Sequence, residues 1–396
     1  MRPRARHRTR FASPHIGDPM QIIDSGVIFR NPLPGHRVIN CIYPKIHVLP
    51  DGEWLSVLRV GSALYSPDGV LEIFRSRDHG TTWHRQGPFI DQSQDPVPYS
   101  EMEGVFTPMR DGSLMMRVSR CDMTDPDQLM FNEKTGGLKP TNDTWVRSTD
   151  NGHTWSDPVE IPIQDHFGPG VEPSPMSGVI ELADGTWLHC MGSWKSYDND
   201  GPYDLQSYAL FSRDRGATWA DKTEIADGSK TNRSYSHGVP IQLRDDRLMV
   251  AYWVAEPQLQ SYHDLHTVVS TDATARSWQP PQPTGIPGQT SHLAQLGGDR
   301  FLLIYSHRDN TDQPGIKVVP SSDGGKTWDL TEPLVVWDAY GKEALGVPRT
   351  DTYPSSHDAI AYGAPRLTTL DDDHAVAAYW CTQGADTHCR WAIVKW

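Results

Sequence analysis

An eight-residue pattern returns four times along this chain, and that recurrence limits the fold more than any other feature. Ser76-Arg77-Asp78-His79-Gly80-Thr81-Thr82-Trp83 reappears at Ser148 to Trp155, at Ser212 to Trp219 and at Ser321 to Trp328. A degraded fifth copy from Ser270 to Trp278 keeps Ser270, Asp272, Ser277 and Trp278, loses the Gly and gains one residue. Self-similarity of this kind marks a chain built from repeated supersecondary units. Each residue of the pattern has a task in a tight turn. The Asp carboxylate accepts backbone N–H groups of its own loop, the Gly allows positive φ, and the Trp folds its apolar face under the loop. These residues are read as structural.

A second pattern precedes each copy. Ile46 to Leu49 alternates, turns at Pro50-Asp51-Gly52 and alternates again from Trp54 to Leu58. Val179 to Leu182, Ala183-Asp184-Gly185 and Thr186 to Met191 do the same, and equivalent pairs start near Val105, Val239, Leu293 and Leu367. Period-two runs joined by Asp-Gly-like turns are hairpins. The chain carries 33 Gly and 32 Pro, which suits many short strands and tight turns. Hairpin, loop, third strand, Asp-containing turn and fourth strand make a four-stranded unit, and six such units can be counted. The sixth starts near Tyr362 and reaches only a third strand, Arg390 to Trp396. Its missing fourth strand is expected from Gly26 to Arg30, closing the ring. The fold class is therefore all-β: a six-bladed β-propeller with Asp-box turns.

Residues 20–396 are read as one propeller domain and 1–19 as an arm. Arg2, Arg4, Arg6, Arg8 and Arg10 have no apolar segment after them, so they do not form a secretory signal. A disordered basic arm, or a start codon placed too far upstream, accounts for them, and a cytoplasmic location is the expectation. With 36 basic against 50 acidic residues the formal charge is −14, the wrong sign for a generic nucleic-acid or anionic-membrane binder. The longest apolar run, Leu248 to Ala255, is strand-sized and far short of the roughly 18 residues that span a bilayer. The five Cys, at 41, 121, 190, 381 and 389, form no CxxC and no disulfide ladder. Cys381 and Cys389 would pair only as neighbours across strands.

The Asp boxes, the blade count and the hairpins resemble the sialidase-like superfamily (BNR, or Asp-box, propellers) over roughly Pro44 to Trp396. In such a ring the Asp-Gly turns and boxes share one face. The opposite face carries the starts of the inner strands and the long loops, where function concentrates. Projected there are Lys45, Arg59, Asp68, Glu101, Glu103, Arg117, Arg120, Glu172, Trp194, His237, Trp253, His263, His292, His307, Arg308, His357 and Tyr362. Acidic, basic and aromatic groups converging on one pocket suit a carbohydrate substrate.

The resemblance implies three arginines on a substrate carboxylate, a Tyr nucleophile activated by a Glu, and an Asp as acid/base. Tyr362, opening the last inner strand, matches the nucleophile; Arg308 matches the third arginine and Asp68 the acid/base. The chain departs elsewhere: Ile42-Tyr43-Pro44 followed by Lys45 replaces Arg-Ile-Pro, blade four offers Tyr252-Trp253-Val254 without arginine, and His237 stands where the activating Glu is expected. These departures imply a substrate other than the classical sialic acid. The leading expectation is an exo-acting glycoside hydrolase with Tyr362, Asp68, His237 and Glu103 as catalytic candidates. Substrate would be held by Arg308, Arg59, Arg117, Lys45, His292, Trp194 and Trp253. Glu101 and Glu172 are further candidate acids. Arg59 and Arg117 either face the pocket or pair with acidic neighbours, and Trp194 and Trp253 either pack the blades or stack on sugar.

Two alternatives stand beside it. His237 or His292 with Tyr362 and Arg308 could perform β-elimination on a uronic acid, as in propeller lyases that resemble sialidases. A non-catalytic lectin-like or protein-docking propeller would use the same fold. No cofactor is expected, since the phosphate-loop, dinucleotide and H-E-x-x-H signatures are missing. His237, His292 and His307 come from different blades with no metal-ligand spacing.

Overall fold

Strands buried along nearly their whole length build the middle of each sheet. All eight residues of Leu248–Ala255 are buried, as are all seven of Gly315–Ser321. Such strands lose the one-face alternation because both faces meet a neighbouring sheet. The outermost strands, such as His84–Pro88 and Ala220–Ala226, are largely exposed and polar. The structure, a computed structural model, describes residues 19–203, 206–228, 230–256, 261–308, 311–342 and 360–396. His357 and residues 1–18 of the expected arm lie outside them.

Among the described residues the strands form six four-stranded antiparallel sheets. Blades 1 to 6 start with inner strands Asn40–Val48, Tyr99–Pro108, Val171–Glu181, Ser234–Gln242, Ser291–Gln295 and Tyr362–Thr369. The expected closure is present. Gln21–Phe29 pairs antiparallel with Asp386–Lys395, setting Gln21 opposite Lys395 and Val27 opposite Arg390, as the outermost strand of blade 6. The third strand starts at Asp386 rather than Arg390. Among the described residues six of the eight apolar clusters form a ring between the blades, each filled from two adjacent blades. Leu55, Val57 and Ile73 of blade 1 meet Met116, Val118 and Val146 of blade 2, for example. At the closing seam Trp54 and Trp391 meet edge to face at 5.5 Å, and the Trp391 Nε1–H donates to the Gly80 carbonyl at 2.9 Å. An aromatic pair of this geometry adds about 0.5–1.5 kcal/mol beyond its buried area.

The boxes behave as their residues dictate. Asp78 accepts the Thr82 N–H at 2.8 Å and its hydroxyl at 2.7 Å, and the Ser76 hydroxyl accepts the Gly80 N–H at 2.8 Å. Asp150, Asp214 and Asp323 repeat this set. In every full copy the residue before the Gly is also left-handed: His79, Asn151, Arg215 and Gly324 have φ between 57° and 80°. These Thr bonds hold the Asp78, Asp214 and Asp323 carboxyls down at about 2. The five cysteines are free and buried, and Cys381 and Cys389 face His388 and Trp380 across the hairpin, not each other.

Candidate active site at the axial mouth

Five of the six inner strands slip register part-way along. The shifts fall at Ile42/Lys45, Glu101/Glu103, Pro175/Val179, Ser236/Val239 and Gly363/Arg366, while Ser291–Gln295 pairs without one. A bulge opposes two residues to one and re-aims the side chains around it. Tyr43 and His237, both at φ 56°, are left-handed non-glycine residues at two of these bulges. Such a conformation costs of order 1–3 kcal/mol and persists only where the surroundings enforce it. At Gly238 the backbone passes so close to Tyr252 that a Cβ would lie 2.0 Å from its ring.

The bulges surround a cavity of about 160 Å³ on the face opposite the boxes. Its wall takes Tyr43 and Tyr65 from blade 1, Glu103, Met130, Phe131 and Leu138 from blade 2, and Ser174 and Trp194 from blade 3. Tyr235, His237 and Trp253 of blade 4, Thr290 and Arg308 of blade 5, and Arg366 and Trp380 of blade 6 complete it. Of the expected site residues, Glu103, His237, Arg308, Trp194 and Trp253 meet here. His237 lies 5.3 Å from the Trp253 ring at 32°. Arg308 donates from Nε to Gln289 Oε1 at 2.6 Å and from Nη1 to the Tyr362 carbonyl at 3.2 Å, which fixes the guanidinium at the wall. The Tyr43 and Tyr65 hydroxyls are 3.1 Å apart, and burial pushes both phenols above their ordinary range, Tyr43 well above it. They are proton carriers, not phenolates.

Glu103 forms the floor. Its Oε1 accepts Lys45 Nζ at 2.7 Å and Arg366 Nη2 at 3.4 Å, and its Oε2 accepts Arg117 Nη2 at 3.0 Å. Arg117 continues to Asp143 at 3.2 Å, and Asp143 to His189 Nε2 at 3.1 Å. Burial alone would raise the Glu103 carboxyl, but Lys45, Arg366 and Arg117 outweigh it and hold it at about 2. Burial pulls Lys45 down to about 8 against the pull of Glu103. Three cations against two carboxylates leave the floor net positive.

The other expected site residues lie outside the described lining of the cavity. Lys45 and Arg117 are buried in this floor, paired with Glu103, and are not among the residues that line the cavity. Arg59 is fully buried, and its guanidinium donates to the carbonyls of Glu101, Ala63 and Ser66 and to the Ser100 hydroxyl. It is an internal clamp of the blade 1 loop. His292 is likewise outside the lining: its Nδ1 accepts the Leu367 N–H at 3.2 Å, and burial beside Arg366 and Lys45 keeps it neutral. Tyr362 donates its hydroxyl to the His307 carbonyl at 2.7 Å and is absent from the described lining. Asp68 is exposed and bonded to Ser62, away from the cavity wall.

The further candidate acids sit in the seams between blades. Glu172 accepts the Thr141 N–H at 2.6 Å and its hydroxyl at 2.7 Å, and Glu101 accepts the Leu71 N–H at 2.5 Å. Arg120 is held by Asp95 and Asn142, and His307 by Lys317 at 3.0 Å. His263 donates its backbone N–H to Val254. Arg366, Tyr43, Tyr65 and Phe131 belong to the wall without having been anticipated. Arg366 follows Tyr362 by four residues in an inner strand, and the register shift between them breaks the alternation that would have put both on one face.

Comparison with known proteins agrees with this architecture. A sialidase of Paraclostridium sordellii is 23% identical over 208 residues, covering 48% of this chain and 50% of that protein, so the chain spans about half the length of the curated relative it matches. Among solved structures, a protein of unknown function from Dyadobacter fermentans superimposes with a TM-score of 0.70 at 17% identity, covering 95% of this chain and 99% of that one. The Hadza microbial sialidase Hz136 gives 0.65 at 16% identity, covering 94% of this chain and 68% of that one. A Penicillium chrysogenum α-L-arabinanase complexed with arabinobiose gives 0.61 at 16%, covering 95% and 98%. At these identities the likeness is one of fold. A family model described as a BNR repeat-like domain matches residues 122–357, more than half of the chain, and with six blades and repeated Asp boxes the protein belongs to that family, within the sialidase-like propellers.

Proposed function

We propose that the protein is a carbohydrate-active enzyme, an exo-acting glycoside hydrolase for a short glycan bearing an anionic sugar. The observation that carries this reading is the polarity of the mouth. Arg308 and Arg366 stand on the side of blades 5 and 6, and Phe131 and Trp194 on the side of blades 2 and 3. Guanidiniums suit a sugar carboxylate and aromatic faces suit the apolar faces of pyranose rings. The sialidase and arabinanase folds nearby add weight to a glycan substrate. Glu103, held ionised by Lys45, Arg117 and Arg366, is not the proton donor of this reading. Proton transfer falls to His237 and to the Tyr43–Tyr65 pair.

One observation favours β-elimination as a second reading. Among the described lining residues Glu103 is the single carboxylate, whereas hydrolysis ordinarily employs two. Abstraction of the proton beside a uronate carboxylate needs a base and cationic stabilisation of the enolate, which His237, Arg308 and Arg366 can supply. A panel of neutral, sialylated and uronate-containing oligosaccharides, read in parallel for reducing-sugar release and for the ultraviolet absorbance of an unsaturated uronate, separates the two. Saturated products support hydrolysis, absorbing products support elimination, and binding without turnover by any of them rejects both.

A further inference from the structure

The crossing from the second to the third strand of blade 2 is the longest in the ring, running from 123 to 140 against 62–69 in blade 1. It does not repeat in any other blade. Its backbone is pinned from within and from the side. The fully buried Lys139 donates from Nζ to the carbonyls of Asp125 at 2.9 Å and Gln128 at 3.3 Å. Blade 3 holds the outer side: Leu138 N–H donates to the Lys195 carbonyl at 2.9 Å, and Trp194 Nε1 and Tyr203 OH both donate to the Gly136 carbonyl. The fit at Gly137 is so close that a Cβ would lie 2.3 Å from the Ser196 carbonyl oxygen. The crossing is therefore a fixed strap.

What the strap presents to the cavity is an aromatic wall. Phe131 stands 5.6 Å from Trp194 and 6.2 Å from Tyr65, ring centre to ring centre, and all three rings line the mouth. In a ring of six, blades 2 and 3 lie across the axis from blades 5 and 6, which carry the guanidiniums. A sugar whose carboxylate is taken by Arg308 and Arg366 directs its glycosidic partner toward this wall.

We propose that the blade 2 strap is the leaving-group specificity element of the mouth, with Phe131, backed by the buried Trp194, stacking a neutral sugar joined to the anionic one. This rests on the reading of the mouth as a glycan site. The substrate class is thus at least a disaccharide, an anionic residue linked to a neutral residue with an apolar ring face.

The test uses the full chain and two probes: a uronic acid linked to a neutral hexose, and the methyl glycoside of the same uronic acid. Phe131→Ala raises KM for the disaccharide about tenfold more than it raises KM for the methyl glycoside, and Phe131→Tyr restores the wild-type ratio. Phe131→Leu, which keeps apolar bulk without a ring face, folds with a near-native Tm and shows the same selective loss. An equal change on both probes, or no change on the disaccharide, overturns the proposal while leaving the glycan reading intact. If the wild-type protein turns over neither probe nor any glycan of the panel, the glycan reading itself fails, and the strap's role with it.

Discussion

Glu103 and Glu172 open adjacent blades from inner strands, both are largely buried, and they have moved in opposite directions. At the axis, three cations within 3.4 Å hold Glu103 at about 2 although burial opposes them. In the seam between blades 2 and 3, burial pushes Glu172 up to about 7, and the Thr141 hydrogen bonds only limit the rise. The two neutral donors on Glu172 do not offset its desolvation, whereas the three charges facing Glu103 more than offset its own. The seam is built to join blades. The axis is built to keep charge fixed beside a cavity.

The largest expected effect breaks the axis. Glu103→Gln leaves Lys45, Arg117 and Arg366 buried without their shared counter-ion, and urea unfolding should show a loss of about 3–5 kcal/mol. A loss below about 1 kcal/mol would mean that the cluster is solvated in solution. Next, Arg308→Ala should lower kcat/KM on an anionic glycan by about a hundredfold or more with little change in Tm. An equal loss on neutral glycans would remove Arg308 from anion recognition.

Glu172→Gln tests the seam. A carboxyl whose folded value lies above its unfolded one favours the folded state below pH 4.5, and that contribution is lost as pH rises toward 7. The amide should therefore match the wild type near pH 4 and exceed its stability at pH 8 by about 1–3 kcal/mol. Reduced stability at both pH values would show that the seam needs the charge. The smallest effect belongs to Tyr362→Phe, which removes one hydrogen bond to the His307 carbonyl, about 1 kcal/mol, and should leave turnover nearly intact. Abolished turnover would return Tyr362 to the chemistry.

The repeated part of the molecule is legible in the sequence. Box residues interact within their own turn, so Ser76, Asp78, Gly80 and Thr82 declare their roles by spacing, and the closing strand follows from counting units. The mouth was half legible, because its residues answer to different rules. Arg308, His237, Trp194 and Trp253 could be placed from strand ends alone. Arg366 and Tyr43 could not, because a bulge slips the alternation and sends inward a residue that simple pairing would hide. Arg59 could not be decided, because a strand-end arginine either faces the pocket or pairs nearby, and here loop carbonyls take its donors. Phe131 lies in a crossing with no repeat and no periodicity, and only the folded strap brings it to the wall.

The completion of blade 6 by Gln21–Phe29 has a consequence for how the molecule is made. The two partners of that final ladder lie almost the full length of the chain apart, so the loop they close is as long as a loop here can be, and such pairings form slowly. Refolding from denaturant should accordingly end in a slow phase that reports the Trp54–Trp391 seam, and a trapped open ring would expose the bare edge of Asp386–Lys395 to other chains.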